Sequence, residues 1–561
     1  MGTSATASPR VIHDIKQEFK KIKDEVVEIK ATSINRPELC FNVEFVNDKN
    51  KTEKLLELVE KGYAKGDKIL IFCSYRATTL DLQKALNERN PKYNAHRYYS
   101  GFLNDEKYSC DDSDKQKETA FVEFANGKSK VLAATKAFGM GIDIQDIRQT
   151  IHFDIASSVE SIYQEMGRAG RDGKKSCCTV LYLDRKQAKE NIENLFDEEL
   201  SIEKLKKQQE SDKYLSKYGV VSKQLCLLIR DNKDYKEWSD FIYSVYLFLT
   251  QEERKEDFEL WDLRTYLKEK NPNISFDGLQ IEFEKALYKL YTLGVIDLWS
   301  VSYANGQMNN PIYSKINVHE FSKDVQLPKL ENHISRFGRK YIYDSDKNGD
   351  SLNAYITALC KWDNENFLNY RWKSLHTLYK MVSDFNSSEL FASRIEKFFL
   401  DSDKLESVII NKSEYKDWME ILFETEADTL LYQLERYSLD YSNNPAIEFL
   451  QGMIAIKSDN FKKEPKQKFK KVLSEIFSKV GNDNATFVSD CLSYFDDDIE
   501  AQKRYLVFLA DNFPAIIKHK EAKKYLKSFD ETIANELLDR PTYNSIYATL
   551  EKLKLTLGDK K

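Results

Sequence analysis

Between residues 50 and 185 the chain alternates between short apolar runs and longer stretches with helical spacing. The runs are rich in β-branched and aromatic residues: KILIFC (68–73), AHRYY (95–99), KVLAAT (130–135), TIHFD (150–154) and CCTVLYL (177–183). Strands that are apolar on both faces and alternate with helices are typical of a parallel sheet covered on each side. The pattern therefore predicts one α/β domain with five or six strands.

The chain on either side of this region has mainly helical patterns. Residues 11–31 place apolar side chains near every 3.6 positions, which predicts a helix followed by a short strand. Residues 190–250 also favour helices. Residues 325–561 have the pattern of aromatic-rich helices, with loop breaks at SNNP (442–445) and GNDN (481–484). The sequence therefore predicts a mainly α-helical C-terminal region behind the α/β domain.

A shorter segment in the middle of the chain predicts a small mixed domain. Two or three short helices are expected over 259–293, followed by β-rich segments at 294–303 and 311–318. An Asn-Gly pair at 305–306 in the polar stretch between these segments is a typical hairpin signal. Helices that run into a β-hairpin are the pattern of a winged helix, which we expect here.

Glycine is concentrated in the first part of the chain. Ten of the 19 glycines lie in the first 200 of 561 residues, and glycine marks backbone that turns tightly or approaches a ligand closely. The formal net charge of −6 excludes a globally basic nucleic-acid coat, although a local basic groove is compatible with it. We therefore expect the chemistry to lie near the N-terminus.

Cysteine, histidine and hydropathy patterns narrow the class of protein further. The eight cysteines contain no CxxC pair, so we expect no zinc site and reduced thiols in a cytoplasmic, intracellular protein. The seven histidines show no ligand spacing, and His152 is expected in the core. No apolar run approaches the roughly 18–20 residues that span a bilayer, so no membrane partner is expected.

The strongest candidate chemistry lies in SVESIYQEMGRAGRDG, residues 158–173. A capping box of Ser157 and Glu160 predicts that a helix begins there. Gln164, Arg168 and Arg171 follow at i, i+4 and i+7, which predicts that all three share one face of this helix.

Two glycines in the same segment, Gly167 and Gly170, would keep that helix face low enough for another surface to approach. Two arginines on such a face suit a polyanion such as a triphosphate, because each guanidinium holds phosphate oxygens bidentately. A solvated helix face is the alternative interpretation, but the glycines would then only weaken the helix.

A second candidate is VLAATKAFGMGIDIQDIRQTIHFD, residues 131–154. A buried strand is expected to end at Thr135 and to open through Lys136 into a loop with Gly139 and Gly141. Backbone amides and a hydroxyl at such a strand end can bind a phosphate. Asp143 is placed either to hydrogen-bond a ribose or to orient an arginine.

Two further strand ends carry polar groups. IFCSYRATTLDL (71–82) contains Ser74 and Arg76, and HRYYSGFL (96–103) contains a tight turn at Tyr99-Ser100-Gly101. Each is a weak signal when taken singly, and a plain surface position is equally compatible with Arg76.

Residues 34–186 resemble the second RecA-like domain of a superfamily 2 helicase of the RecQ type. AFGMGID and HFDIASSVESIYQEMGRAGRDG are similar to the family's motifs V and VI, and IFCSYR is similar to motif IV. YYSG resembles the next DNA-contacting motif, and SINRP (33–37) resembles the start of this domain. Upstream, the residues Ser4-Ala5-Thr6-Ala7 resemble motif III, which ends the first RecA-like domain.

This resemblance implies an ATP-dependent 3′→5′ DNA helicase that uses ATP and Mg²⁺ and separates strands at a junction of single-stranded and duplex DNA. The resemblance also implies roles for residues at the nucleotide and for residues along the DNA backbone. Arginine fingers would be Arg168 and Arg171, with Gln164 and Asp143 coupling nucleotide state to domain closure and Gly141 beside the nucleotide. The DNA backbone would be tracked by Ser74, Arg76, Tyr99, Ser100, Gly101, Thr135 and Lys136.

Two motifs that such a motor needs are not recognisable in these 561 residues. The sequence GKS occurs once, at 127–129, but Val122 stands where a phosphate loop has its first glycine, and the triplet precedes a strand. DEE at 197–199 follows no buried strand, so it does not replace the DExH pair. We therefore expect that most Mg²⁺-ATP ligands belong to a first motor domain outside this sequence, from a truncated or split gene or a separate chain.

Two classes of function are compatible with these sequence features. The first is the C-terminal part of a RecQ-like motor, and the second is a non-catalytic DNA- or protein-binding module derived from one. The hairpin from Tyr303 to Pro311 is compatible with a strand-separating wedge and with protein contacts. The predicted domains are a remnant and linker (1–33), the RecA-like domain (34–190), a helical connector (191–252), the winged-helix-like domain (253–322) and the helical region (323–561).

Overall fold

A computed structural model of the chain describes most residues between 9 and 516. The described ranges are 9–22, 36–47, 49–99, 110–138, 142–196, 224, 227–228, 234–251, 257–270, 279–302, 311–314, 316–337, 340–399, 403–411, 413–459, 463–480, 484–495, 498–514 and 516. The chain divides into two compact units, residues 35–395 and residues 1–34 with 396–561.

The first unit is built around a six-stranded parallel sheet. Its strands are β1 (Leu39–Val46), β2 (Lys68–Phe72), β3 (His96–Tyr98), β4 (Val131–Ala134), β5 (Ile147–His152) and β6 (Ser176–Leu183). Their order across the sheet is β1-β6-β5-β2-β4-β3, and every neighbouring pair is parallel. This confirms the predicted parallel α/β sheet.

Helices of this α/β region connect the strands. They are α2 (Lys51–Ala64), α3 (Arg76–Arg89), a 3₁₀ turn (Pro91–Tyr93), α4 (Cys110–Ala125), α5 (Val159–Met166) and α6 (Arg185–Leu195). All five residues of β2 and all four of β4 are buried, as a strand covered on both faces requires. His152 is fully buried and stacks on Phe72 with ring centroids 5.1 Å apart, as predicted for a core residue.

The edge strand β1 was not predicted. Its sequence LCFNVEFV alternates, with Leu39, Phe41 and Val43 buried, so its pattern differs from the uniformly apolar runs of the central strands. The backbone N–H of Phe41 donates to Ser388 Oγ at 2.9 Å, and its ring lies 5.4 Å from that of Phe391. The outer edge of β1 is therefore covered at this position.

A small three-stranded antiparallel sheet follows in the same unit. Its strands are β7 (Phe258–Glu259), β8 (Ser300–Ser302) and β9 (Ile312–Ser314), in the order β7-β9-β8. Strands β8 and β9 lie within the two predicted β segments, whereas β7 was not predicted. Two helices separate β7 from β8, and they are α8 (Leu260–Lys270) and α9 (Leu279–Thr292).

Aromatic packing joins this sheet to its helices. The Tyr313 ring lies 4.8 Å from Phe283 and 5.8 Å from Phe258, and all three side chains are buried. Further helices of this unit are α7 (Tyr235–Leu249), α10 (Lys323–Ser335), α11 (Ser345–Asn348), α12 (Leu352–Ser383) and α13 (Ser388–Phe399), the last of which runs past residue 395. The hairpin tip at 303–310 lies outside the described residues.

The second unit is helical throughout its described residues, which confirms a helical C-terminal region. Its helices are α1 (Pro9–Ile22), α14 (Asp403–Ile410), α15 (Tyr415–Glu424), α16 (Ala427–Asp440), α17 (Pro445–Lys457), α18 (Lys463–Val480), α19 (Asn484–Ser493) and α20 (Ile499–Asn512). Gly452 lets α17 and α18 approach closely, because a Cβ there would lie 2.2 Å from the ring of Phe469.

Helix α1 packs on this helical unit. The backbone N–H of Arg10 donates to Asp440 Oδ2 at 3.0 Å, and Lys16 Nζ pairs with Glu406 at 3.0 Å. The predicted helix over 11–31 is therefore observed as far as Ile22, while the predicted strand after it and the motif III resemblance at 4–7 lie outside the described residues. Among the helices described, none is long and apolar enough to cross a membrane.

Candidate functional site

The carboxyl ends of three adjacent strands bring together several predicted residues. Strands β5, β2 and β4 are neighbours in that order, and each is followed within two residues by a polar group: Asp154, Ser74 and Thr135. Cys73 N–H donates to Ala134 O at 2.8 Å, which extends the pairing of β2 and β4 to this edge. The sheet order thus explains why separate sequence motifs form one site.

A buried ion pair supports the loop after β2. Lys51 Nζ lies 3.1 Å from Asp154 Oδ1, and the two side chains are only 6% and 0% exposed. The other carboxylate oxygen of Asp154 accepts the backbone N–H of Ser74 at 3.0 Å. Asp154 therefore fixes the position of Ser74, a supporting role that the sequence analysis did not identify.

A residue far along the chain contacts the same loop. The side-chain amide nitrogen of Gln224 donates to Ser74 Oγ at 2.8 Å and to Ile155 O at 2.8 Å. No motif in the surrounding sequence marks Gln224. Gln224 therefore lies at the carboxyl ends of β2 and β5.

The end of β4 is a tight turn. Thr135 N–H donates to Tyr98 O at 3.0 Å, and Phe138 N–H donates to Thr135 O at 3.0 Å. Lys136 is exposed at the start of this turn, whereas Tyr99 is buried against Arg97. The other predicted positions of these loops, Ser100, Gly101, Gly139 and Gly141, lie outside the described residues.

The arginine segment differs from its prediction in two respects. The N-cap of α5 is Ser158, whose Oγ accepts the N–H of Ser161 at 3.1 Å, so the predicted capping box at Ser157 is wrong. The helix ends at Met166 with Gly167 as its C-cap. The prediction that Arg168 and Arg171 share a continuous helix face with Gln164 is therefore also wrong, since both arginines lie in the turns after the helix.

The glycines of this segment end the helix and turn the chain. Gly170 has φ +64°, and a Cβ there would lie 3.1 Å from Glu38 Cγ and 3.1 Å from Lys174 O. Its N–H donates to Ile147 O at 3.0 Å. A left-handed, crowded position of this kind favours glycine, because any side chain would be strained and would displace its neighbours.

Arg36 holds the turn from the side of β1. Its Nη2 donates to Ala169 O at 3.1 Å and its Nη1 to Gly167 O at 3.4 Å, while its Nε pairs with Glu38. The guanidinium of Arg36 thus binds backbone carbonyls just after the end of α5. The partial negative charge at the C-terminus of a helix favours a cation in this position. Arg36 belongs to the SINRP resemblance, but its contact with the arginine segment was not predicted.

Arg171 is held by the loop after β4. Its Nη1 donates to Asp143 Oδ1 at 2.8 Å and to Ile142 O at 3.1 Å. Of the two roles open to Asp143, the structure shows the one in which it orients an arginine. The Arg171 side chain keeps 33% exposure, so part of its guanidinium faces solvent.

Arg168 lies beside Arg171 in a more buried position. Burial and the nearby positive charge of Arg171 lower the pKa of the Arg168 guanidinium. An anion placed against the pair would relieve this repulsion and restore the solvation that the buried group lacks. Gln164 lies on the exposed side of α5, one turn before these arginines.

A second ion pair fixes the far side of the same turn. Arg148 on β5 pairs with Asp172, and its Nη1 donates to Ser176 Oγ at 3.2 Å. The hydrogen bond from Arg148 is the main cause that lowers the pKa of the Asp172 carboxyl. The arginine segment is therefore attached to β5 as well as to the start of β1.

The GKS triplet has no phosphate-loop geometry. Gly127 lies in a turn with φ +80°, and Lys128 pairs with Glu123 ahead of β4. Hydrogen bonds from Lys128 and then His96 lower the pKa of Glu123 to about 2. Within the described ranges, moreover, no group of three or more His, Cys, Asp or Glu side chains has a metal-binding arrangement.

Comparisons with known proteins agree with this architecture. Residues 50–173 match the helicase conserved C-terminal domain. The chain is 33% identical over 183 residues to the ATP-dependent DNA helicase RecQ of Bacillus subtilis, covering 32% of this chain and 28% of that protein. It is 32% identical over 183 residues to the RecQ-like DNA helicase BLM of Xenopus laevis, covering 32% and 12%.

A longer match is to the probable ATP-dependent DNA helicase RecS of Bacillus subtilis, 27% identical over 241 residues and covering 41% of this chain and 45% of that protein. The chain thus spans less than half the length of these curated relatives. Within its α/β region, residues 50–173 match the helicase conserved C-terminal domain, and the sheet of this region is parallel. Within that class, the domain is related to those of the RecQ-type helicases.

Proposed function

We propose that this chain supplies the second motor domain of an ATP-dependent 3′→5′ DNA helicase of RecQ type. The observation that carries the proposal is the arrangement of Arg168 and Arg171. The first is desolvated beside a second positive charge, and the second is oriented by Asp143 with part of its guanidinium exposed. This pair fits the negative charge that develops on a transferred phosphoryl group.

ATP with Mg²⁺ is the proposed cofactor, and bound ATP supplies the phosphoanhydride whose hydrolysis drives movement. Arg168 and Arg171 would hold its phosphates from one side, and Asp143 would keep Arg171 in position. The remaining phosphate and metal ligands would come from a first motor domain, on the same protein or on a separate chain.

DNA is the proposed partner at the carboxyl ends of β2 and β4. Ser74 is held there by Asp154, and Arg76 begins α3 directly after the same loop. Lys136 is exposed at the end of the adjacent strand. Hydroxyls, an N-terminal helix turn and two cations in this arrangement fit the phosphates of a single strand.

We expect no DNA-stimulated ATP hydrolysis from these 561 residues alone. The reason is that the sequence contains neither a GxxxxGK[ST] loop nor a DExH pair to bind Mg²⁺-ATP. A phosphate-release assay with single-stranded DNA checks this. In the positive control a RecQ-type first motor domain is added, and hydrolysis is then expected. Turnover by the chain alone would contradict the division of ligands, and no turnover with any supplied domain would favour the non-catalytic binding module.

Removal of the Arg76 charge is expected to weaken binding of single-stranded DNA and to reduce its salt dependence. Each lost phosphate contact lowers the slope of log affinity against log salt by about 0.7 for a single strand. Fluorescence anisotropy of Arg76→Ala with a labelled oligonucleotide measures both quantities. The matched control is Arg89→Ala at the other end of α3, where the arginine pairs with Glu53 and Glu60; equal losses in both variants would contradict the assignment.

We also propose that residues 253–322 form a winged-helix-like domain. Support comes from the order of its elements, which is strand β7, helices α8 and α9, and then the hairpin strands β8 and β9. The domain limits stated above and a cytoplasmic location are part of the same proposal. Whether the hairpin acts as a wedge or as a protein contact depends on its tip, which lies outside the described residues.

A further inference from the structure

Two cysteines face each other across the first two strands of the sheet. Cys40 on β1 and Cys177 on β6 are direct partners in the parallel register. Adjacent strands lie about 4.8 Å apart, which is inside the Cα separation of about 4.4–6.8 Å that a disulfide spans. Because partners in register point to the same face, the two thiols share one side of the sheet.

The two thiols differ in their access to solvent. Cys40 is exposed on the edge strand, whereas Cys177 is half-buried, with its Sγ 3.6 Å from Thr179 Oγ1. Burial raises the pKa of the Cys177 thiol, so a smaller fraction of it is thiolate at neutral pH. A reagent in solution therefore meets Cys40 first, and Cys177 is placed to react second.

The neighbouring cysteine of β6 does not share this face. Cys178 is fully buried on the opposite side of the strand, with its Sγ 3.6 Å from Met166 O. Burial raises the pKa of the Cys178 thiol to about 12. Cys178 is thus an internal reference, adjacent in sequence to Cys177 but protected from solution reagents.

We propose that Cys40 and Cys177 form a dithiol modification site that closes to an intramolecular disulfide when it meets a low-molecular-weight disulfide such as oxidised glutathione. The site is distinct from the strand ends of the motor site. It lies at the beginning of β1 and β6, next to the turn that Arg36 and Asp172 hold.

The reaction has two exchange steps. The Cys40 thiolate attacks one sulfur of the oxidant, the oxidant's S–S bond breaks, and one glutathione thiolate leaves. The Cys177 thiolate then attacks the Cys40 sulfur of the mixed disulfide, and the second glutathione thiolate leaves. The two protein thiols lose two electrons and two protons, and the oxidant is reduced to two thiols.

The test is to treat the folded full-length chain with oxidised glutathione, alkylate the remaining thiols, digest the chain and identify linked peptides by mass spectrometry. The expected product is a peptide pair joined through Cys40 and Cys177, without retained glutathione. The Cys177→Ser variant is expected to accumulate stable glutathione on Cys40, and the Cys40→Ser variant to lose the link. Cys360→Ser, which removes a buried thiol, is the control and keeps the link.

Three outcomes would overturn the proposal. These are glutathione retained on Cys40 of the unmodified chain with no link to Cys177, a link to Cys177 that persists in Cys40→Ser, and no modification of Cys40. Serine is nearly isosteric with cysteine, so each variant is expected to fold. Circular dichroism checks this. If a serine variant fails to fold, the order of reaction is read from the unmodified chain, in which mixed disulfide on Cys40 must precede the link.

Discussion

An Arg171→Ala chain, combined with a first motor domain, is expected to hydrolyse ATP about 10³-fold more slowly than the unchanged chain. An arginine that stabilises transferred-phosphoryl charge contributes on this scale. The affinity for single-stranded DNA should change little, because Arg171 is held by Asp143 and Ile142 O and is assigned to the nucleotide side. Steady-state phosphate release and DNA anisotropy, measured on the same preparation, separate the two effects.

The control for this experiment is Lys174→Ala in the same turn. Lys174 is 77% exposed and only 4.0 Å from Asp172, so its removal changes local charge without removing a guanidinium from the site. Near-normal turnover is expected for this control. If Arg171→Ala retains turnover, or if Lys174→Ala loses as much, the finger assignment is withdrawn.

Loss of the buried carboxylate at Asp154 is expected to destabilise the α/β sheet by about 3–5 kcal/mol. The pair of Lys51 and Asp154 is almost fully buried, so Asp154→Asn leaves a buried ammonium without a counter-charge. Hydrogen–deuterium exchange of peptides from β2 and β5 measures the opening of this sheet directly.

Two comparisons make this second prediction specific. Lys54→Ala removes a more exposed pair, which joins Lys54, on the same helix as Lys51, to Glu44 on β1; its cost should be below about 1 kcal/mol. The double variant Lys51→Met, Asp154→Leu should recover most of the lost protection, because it removes both buried charges together. Equal exchange in Asp154→Asn and the unchanged chain would contradict the role of the pair.

The central strands could be predicted from the sequence because burial on both faces requires a continuous apolar run. β2, β4 and β6 are buried on both faces, so uninterrupted apolar runs identified them. β1 alternates because it lies at an edge, and its shorter apolar signal was missed. Ser74 and Thr135 lie at the carboxyl ends of β2 and β4, as predicted, because each strand ends where its apolar run ends.

The arginine segment shows where local spacing failed. Positions i, i+4 and i+7 share a face only in a continuous helix, but Gly167 ends α5 and Gly170 takes a left-handed turn. The supporting contacts from Arg36 and Gln224 come from distant parts of the chain. No single-sequence pattern encodes such contacts, since each joins residues that are far apart in the sequence.

The covered edge of β1 also bears on self-association. An exposed sheet edge is a template for pairing with another chain, and proteins avoid this by covering or shortening their edge strands. Here Ser388 Oγ accepts the outward N–H of Phe41, and the opposite edge strand β3 has only three residues. Strand addition is therefore opposed at Phe41, and the three-residue β3 offers another strand little backbone to pair with.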